Sequence, residues 1–490
     1  MNSNTLATAG AIISSFAAIV GINAMSNAIA PLALTLDVPL YRMSAITSLY
    51  LVAQIASLPT LSLWLKNNSP VTVSRYASLI FTLASLLCAL SKSFEGLAFA
   101  RVIQGLSSGI LIAVVPVIIK RYHDDNRHAT LLSYFSVMGA TAPIVGPVFV
   151  GFLTSETVYL MFVLCAMLSF LGLILLHSPS TPLQKNEDRH YRYSDVVALF
   201  SLSLGLGVLI FTLDMGHDHG WLESSLIRAG LYSGTVLFFA GVVHQANSQT
   251  PVLPIKLLFS SRVGVIILSG GIMGALIYGF MYLIPYYLTQ ALHAPPEEVL
   301  VVVLYTSIPQ LALLPFFPLL RRYLSMFLIL LIGGVCVAIS ILMLSFITPA
   351  FTSDMFFLPQ TLRAIGIPLC AMSLTLMLVS NSSHEDIGEA STLYATMRAL
   401  GGAVSISATT AYTMYKHAFY AQIQFHPDAT RSNTINHAWH YAFADSFSSL
   451  LVIFSFFALL VALWKLADVI KQKTAKSLVN HGALGRTLKK

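Results

Sequence analysis

Residues 97 to 120 read LAFARVIQGLSSGILIAVVPVIIK, and from Val102 to Ile119 this stretch carries no charged side chain. That is close to the ~20 apolar residues that one α-helical crossing of a bilayer takes. Arg101 stands at its head. Runs of the same kind recur at 43 to 65, 129 to 155, 157 to 184, 263 to 296 and 323 to 353. The alternation of a membrane β-strand is absent, and backbone groups in lipid must be satisfied within the segment, so these runs are expected to be helices. They place fourteen, at 6 to 34, 43 to 64, 74 to 91, 96 to 119, 128 to 153, 157 to 177, 194 to 214, 223 to 244, 263 to 290, 297 to 320, 324 to 346, 356 to 380, 388 to 415 and 445 to 466.

Composition agrees. Of 490 residues, 56% are hydrophobic and 10% charged, far below the ~25% charge of a soluble globular chain, and the mean hydropathy is +0.77. The class is all-α integral membrane. The first apolar stretch lacks a basic leader and outruns the roughly 7 to 15 residues of a signal-peptide core, so it reads as a retained first helix. Cys88, Cys165, Cys336 and Cys370 fall within spans without CxxC spacing and read as small buried apolar residues.

The net charge of +7 is a topology signal. With the N-terminus inside, nineteen of the 27 Lys and Arg fall in the loops and tail that become cytoplasmic, among them Lys66, Arg75, Lys120, Arg121, Arg321, Arg322 and Lys465. The other side holds Arg42, Lys92, Lys416 and Arg431, and Arg101, Arg228, Arg363 and Arg398 lie within predicted helices. The bias follows the positive-inside rule with both termini cytoplasmic. It removes the need for a nucleic-acid partner; the surroundings expected are lipid, in the plasma membrane, or the inner membrane of a host with two membranes.

A weak repeat organises the helices. Arg101 opens RVIQGLSSG and Arg363 opens RAIGIPLCA, 262 positions apart. In the helices that follow, Asp125, Ala129, Thr130 and Leu132 match Asp386, Ala390, Ser391 and Leu393 at an offset of 261. Two six-helix bundles therefore flank an extra helix pair. The divisions are a first bundle over 1–177, a linker over 178–193, the extra pair over 194–255, a second bundle over 256–468 and a basic tail over 469–490. Six-helix halves of this kind are the architecture of many secondary transporters, with substrate bound between them near the midplane.

Several motifs resemble one family. LAFARVIQGLSSGI resembles motif B of the major facilitator superfamily through Arg101, Gln104 and Gly105. SVMGATAPIVGPVFVGFL resembles motif C, the antiporter signature, through Gly139, Pro143, Gly146, Pro147 and Gly151. LDMGHDHGWLES, EDIGEASTLYATMRALGGAVSISA and YAFADSF look like the fourteen-helix drug:proton antiporter family, in particular its Emr-type multidrug exporters. The likeness runs from about residue 10 to 468. It implies export of small amphipathic or cationic compounds in exchange for protons, with the proton gradient as energy source and no cofactor. Where the host has an outer membrane, it also implies a periplasmic adaptor protein.

The residues to carry this chemistry are few. An intramembrane Arg costs ~2.5 to 3.5 kcal/mol on insertion scales, and the resemblance gives Arg101 a part in proton transfer. Asp214, at an apolar helix end in the LD-x-G element, is the first carboxylate for coupling; Asp445 is second and Glu389 third. Glu389 is equally explained by the helix dipole. Arg398, Gly401 and Gly402 in TMRALGG read as a gate, and Arg228 and Arg363 as structural. Tyr278, Tyr282 and Tyr286 on the ninth predicted helix could line an apolar pocket or form an interfacial belt. His217 and His219, like His426, His437 and His440, lack a recognised metal spacing, so no metal site is assigned.

No Walker A or HExxH string occurs, and GLSSG at Gly105 to Gly109 matches the hydrolase GxSxG string only inside an apolar helix. The chain is not read as an enzyme. Two departures keep other readings open. The acid usual in the family's first helix is missing from GINAMSNAIAP, and motif A is reduced to LWLKNNSP. A dedicated exporter of a metabolite or siderophore, and a non-transporting protein that kept the fold, remain alternatives.

Overall fold

The computed structural model describes residues 3–38, 40–154, 156–176, 191–216, 221–259, 262–313, 316–383, 386–423 and 437–462. Among them the regular structure is helical: α1 Ser3–Leu36, α2 Leu40–Ser57, α3 Leu61–Asn67, α4 Pro70–Leu90, α5 Phe94–Tyr122, α6 Asp125–Gly151, α7 Leu160–Leu176 and α8 Tyr193–Met215. There follow α9 Ser225–Asn247, α10 Val263–Gln290, α11 Pro296–Leu313, α12 Phe317–Tyr323, α13 Met326–Ser345, α14 Phe357–Asn381, α15 Ile387–Ile423 and α16 His437–Ala462. Ten are long and apolar enough to cross a bilayer, eleven if the bent pair α11–α12 is one span, and α7 is a shorter apolar helix.

Local chemistry sets the ends. Ser69 caps α4 by accepting from the Thr72 amide, with Pro70 in the first turn where its missing N–H is not needed. Ser93 and Ser325 cap α5 and α13 in the same way. Lys120 and Arg121 close the last turn of α5, favourably placed against its dipole. Pro59 breaks the second span into α2 and α3 through a 3-10 turn over Leu58–Thr60, since its ring cannot continue the α-helical ladder.

Lys66, Lys120, Arg121 and Arg322 lie at one end of the bundle, the basic end. Among the described residues, the buried core that the two halves share lies on that side. Leu61, Val114 and Ile118 of the first half pack with Phe317, Leu376, Val379 and Ile387 of the second, and Ser391 Oγ donates across the seam to the Ala113 carbonyl at 3.4 Å. A Cβ on Gly388 would stand 3.0 Å from Leu65 Cδ1, so the start of α15 lies directly on α3. Toward the opposite end each half has its own core. Met25, Leu32, Ile46, Leu97 and Phe162 form one; Leu283, Tyr287, Phe356, Phe443 and Phe447 belong to the other. Among the described residues, then, the seam between the halves is filled at the basic end, and toward the other end each half packs on itself.

The extra pair α8–α9 is joined through glycine. Gly205 meets the backbone of Phe238, and Gly241 meets Leu202, a close approach that a side chain at either position would block. Asp195 is 1% exposed and accepts from Thr250 Oγ1 at 2.8 Å and from the Arg192 amide at 3.3 Å, with His244 Nε2 at 3.1 Å. This network ties the start of α8 to the end of α9 and the chain beyond it.

Candidate functional site: an arginine in each half

Arg101 is 0% exposed. It sits in the second turn of α5, where the helix crosses α2 at close range because Gly105 meets the Tyr50 carbonyl and Gly109 meets the Gln54 carbonyl. Gly105 and Gly109 are thus a small-xxx-small packing motif, which explains the chance GxSxG match. The Arg101 guanidinium lies 4.1 Å from the Tyr50 ring centroid and 5.9 Å from that of Phe162. Its Nη1 donates to Gln104 Oε1 at 2.6 Å, Gln104 Nε2 donates to Ser85 Oγ at 2.7 Å, and Ser85 donates to the Phe81 carbonyl. Nε and Nη2 have no hydrogen-bond partner among the described residues. The cation is held by one amide and two rings, a chamber of α2, α4, α5 and α7.

Arg363 holds the corresponding place in the second half, in the second turn of α14. Its Nη2 donates to Thr306 Oγ1 of α11 at 2.7 Å, and its guanidinium carbon is 5.2 Å from the Phe280 ring centroid on α10. Nε is buried without a partner, yet the residue is partly exposed. Near its helix end, as expected, Arg363 has side-chain contacts from α10 and α11 of the second half.

Arg398 is half-buried on α15, 6.0 Å from the Tyr394 ring centroid. Around it α10 and α15 interlock through glycine: Gly274 packs on the Arg398 backbone, Gly401 on the Gly271 carbonyl, and Gly402 under the Tyr278 ring. The residues read as a gate therefore form a crossing inside the second half, and Tyr278 is its cover. Tyr282 and Tyr286 stack at 5.3 Å; Tyr286 in turn packs edge-on to Trp439 and Phe443 of α16 at 5.9 and 5.3 Å. The tyrosine stripe of α10 thus faces α15 and α16.

The carboxylates are dispersed. Asp445 does not open its helix: α16 begins at His437, and Asp445 lies two turns in, 2.7 Å from Lys416 Nζ, accepting from Tyr420 OH at 2.9 Å. Lys416 is ringed by Tyr412, Phe419 and Tyr420 at 5.5 to 5.7 Å. Glu389 is in the first turn of α15, at the basic end. Asp214 is the penultimate residue of α8, outside both six-helix halves; its side chain lies outside the described ones. So do those of Pro143 and Pro147, and the surroundings of Gly139 and Gly151, although all but the ends of the motif run through α6 as helix. Gly146 is described: its Cα faces α1, where a Cβ would come 2.7 Å from the Ala24 amide nitrogen. His217, His219 and His426 lie outside the described residues.

The sequence profile of the Major Facilitator Superfamily matches residues 11–406, across both halves and the extra pair. The chain belongs to the major facilitator superfamily. Among its curated relatives, the colistin resistance protein EmrB of Acinetobacter baumannii is 24% identical over 403 residues, 81% of this chain and 78% of that protein. The multidrug export protein EmrB of Escherichia coli K12 is 24% identical over 397 residues, 77% and 75% of the two chains. The human organic anion transporter MFSD10 superposes with a TM-score of 0.61 at 12% identity, covering 94% of this chain and all of that one; at that identity the likeness speaks to the fold alone.

In this major facilitator protein, motif B works as a unit: Arg101 supplies the charge, Gln104 binds it, and Gly105 allows α2 to cover it. The Arg363–Thr306 pair and the Lys416–Asp445 pair were missed in sequence. The 262-position repeat was the available signal for the first; the second joins residues on two helices with no fixed spacing.

Proposed function

We propose that the chain is a secondary active exporter that moves small amphipathic compounds out of the cytoplasm in exchange for protons, with its basic end and both termini cytoplasmic. The observation that carries this reading is that, among the described residues, the two halves share a core at the basic end and keep separate cores toward the other. Two halves that share a core on one side only are one of the two states an alternating-access transporter needs. The names of the curated relatives, multidrug export and colistin resistance proteins, support export of compounds foreign to the cell. The distribution of Lys and Arg supports the orientation.

Proton exchange is assigned to residues at the helix ends and to the motif B chamber. Asp445 is neutralised by Lys416; a proton on Asp445 would free the ammonium to the surrounding rings, a local change of charge that two states could bind differently. Glu389 sits where α15 meets the first half, so its charge would bear on the closed seam. Asp214 is retained as a coupling candidate on the extra pair. The protein is loaded into liposomes with a pH-sensitive dye and challenged with candidate compounds under an imposed pH gradient. Compound-dependent proton flux is expected, and its absence across a broad panel sinks the antiport reading. Where the host has a periplasm, an adaptor protein is expected to co-purify.

A further inference from the structure

Away from the basic end, Arg101, Arg363 and Arg398 stand in helices of the two halves without a carboxylate partner among the described residues. Asp445 is paired with Lys416 and Glu389 is at the basic end; Glu298, at the start of α11 and bonded by Ser353, and Asp354, just ahead of α14, are exposed and form no ion pair with Arg363 among the described residues. Arg101 is sealed. Arg363 differs because it is partly exposed. It lies in the second turn of α14, toward the end opposite the basic one, and α11 and α14 both touch α6 of the first half.

A guanidinium has five donors in a planar fork that fits a carboxylate. Arg363 spends one on Thr306, has a buried Nε without a partner, and rests its flat face near Phe280. An unpaired cation at this depth is costly against lipid, so its accessible edge belongs on the space between the halves. The arrangement offers an oxyanion the guanidinium charge, its uncommitted Nη1 edge and an aromatic wall. A lipophilic cation placed against the guanidinium itself would be repelled.

We infer that Arg363, with Thr306 and Phe280, is a docking point for the anionic head, a carboxylate or similar oxyanion, of the transported amphipathic compound. This rests on the exporter reading for its role in transport, and on geometry alone for binding. It narrows the substrate class from amphipathic or cationic compounds to amphipathic anions.

The test uses a matched set of probes: naphthalene-1-acetate, 2-(1-naphthyl)ethylammonium and the neutral naphthalene-ethanol, titrated into the full chain in detergent. The wild type is expected to bind the carboxylate about tenfold more tightly than the other two, the scale of a charge-assisted hydrogen bond. Arg363→Gln should erase that preference and leave the amine and alcohol unchanged. Arg363→Lys should keep a reduced preference, because the charge remains and the fork does not. Thr306→Val removes the hydroxyl that positions the guanidinium and should lower the carboxylate preference by about threefold without abolishing it. Equal affinity for the three probes in the wild type, or a preference that survives Arg363→Gln, overturns the proposal. If Arg363→Gln fails to fold by size exclusion, the lysine and Thr306→Val variants decide: a lysine variant as selective as wild type, or a Thr306→Val variant with no selectivity, overturns it. Movement of the same probes in vesicles separates the two readings. Gradient-driven transport without charge preference sinks the docking point and keeps the exporter; selective binding with no transport of any compound does the reverse.

Discussion

Arg101 and Arg363 occupy repeat-related places, 262 positions apart, yet one is fully buried and the other partly exposed. The difference begins at the third residue onward. After Arg101 that residue is Gln104, which turns toward α4 and takes the Nη1 hydrogen bond. After Arg363 it is Gly366, and a Cβ there would come 2.6 Å from the Gly333 carbonyl oxygen and 2.9 Å from the Val337 amide nitrogen. That face of α14 is spent on packing against α13. Arg363 has to reach another helix, and finds only the single hydroxyl of Thr306. Two copies of one scaffold position thus diverge in role because one half makes its close helix contact through the residue that the other half uses as a partner.

Variants can break this contrast or sharpen it. The largest effect is expected from Arg101→Ala, which should reduce resistance of a hypersensitive host to background at unchanged expression; full resistance would mean that the enclosed arginine plays no part in transport. Gln104→Leu removes the hydrogen bond to a buried cation and should lower unfolding stability by about 1.5 to 3 kcal/mol, read as an earlier thermal transition in detergent. Its counterpart Thr306→Val should cost less, about 0.5 to 1.5 kcal/mol, because Arg363 is partly exposed. A larger loss for Thr306→Val than for Gln104→Leu would reverse the comparison.

The smallest effect is a pH dependence outside both arginine sites. His123, in the turn after α5, has Nε2 2.7 Å from Thr8 Oγ1 of α1. Burial first, then the charges of Arg127 and His128, hold its pKa below the usual histidine value. The unfolded chain therefore binds the proton more readily, so this contact is fully present at pH values above the ordinary ~6.5 and weakens as pH falls through the lowered value. Amide exchange in the first turns of α1 should quicken on acidification in the wild type, and not in His123→Gln.

Much of the fold was legible because a charge-free run of sufficient length in lipid has few conformations open to it. Helix ends were less so. Charge marked the expected end of the thirteenth helix at 415 and the start of the last at 445, whereas α15 runs to Ile423 and α16 begins at His437. The added turns, with Lys416, Phe419, Tyr420, Trp439 and Tyr441, are aromatic and polar, the composition of a membrane interface, and a helix continues through it. Asp445 was misread as a helix opener for that reason, and its partner Lys416 was assigned to a loop. Motif B was readable because Arg101 and Gln104 are three residues apart on one helix. Arg363 was not, because Thr306 and Phe280 come from other helices.

The placement of α8 has a consequence for the symmetry of the fold. It lies against α2 of the first half and α15 of the second at once, with Gly207 set against Val52 and Ala56, while α9 turns Leu226, Tyr232, Val236, Phe239 and Val243 outward. The extra pair is a shutter over one flank of the seam, its outer face wetted by acyl chains. On the opposite flank α6 meets α11 and α12 with no added helix across them among the described residues, so the added pair makes the two flanks of a two-half fold unequal.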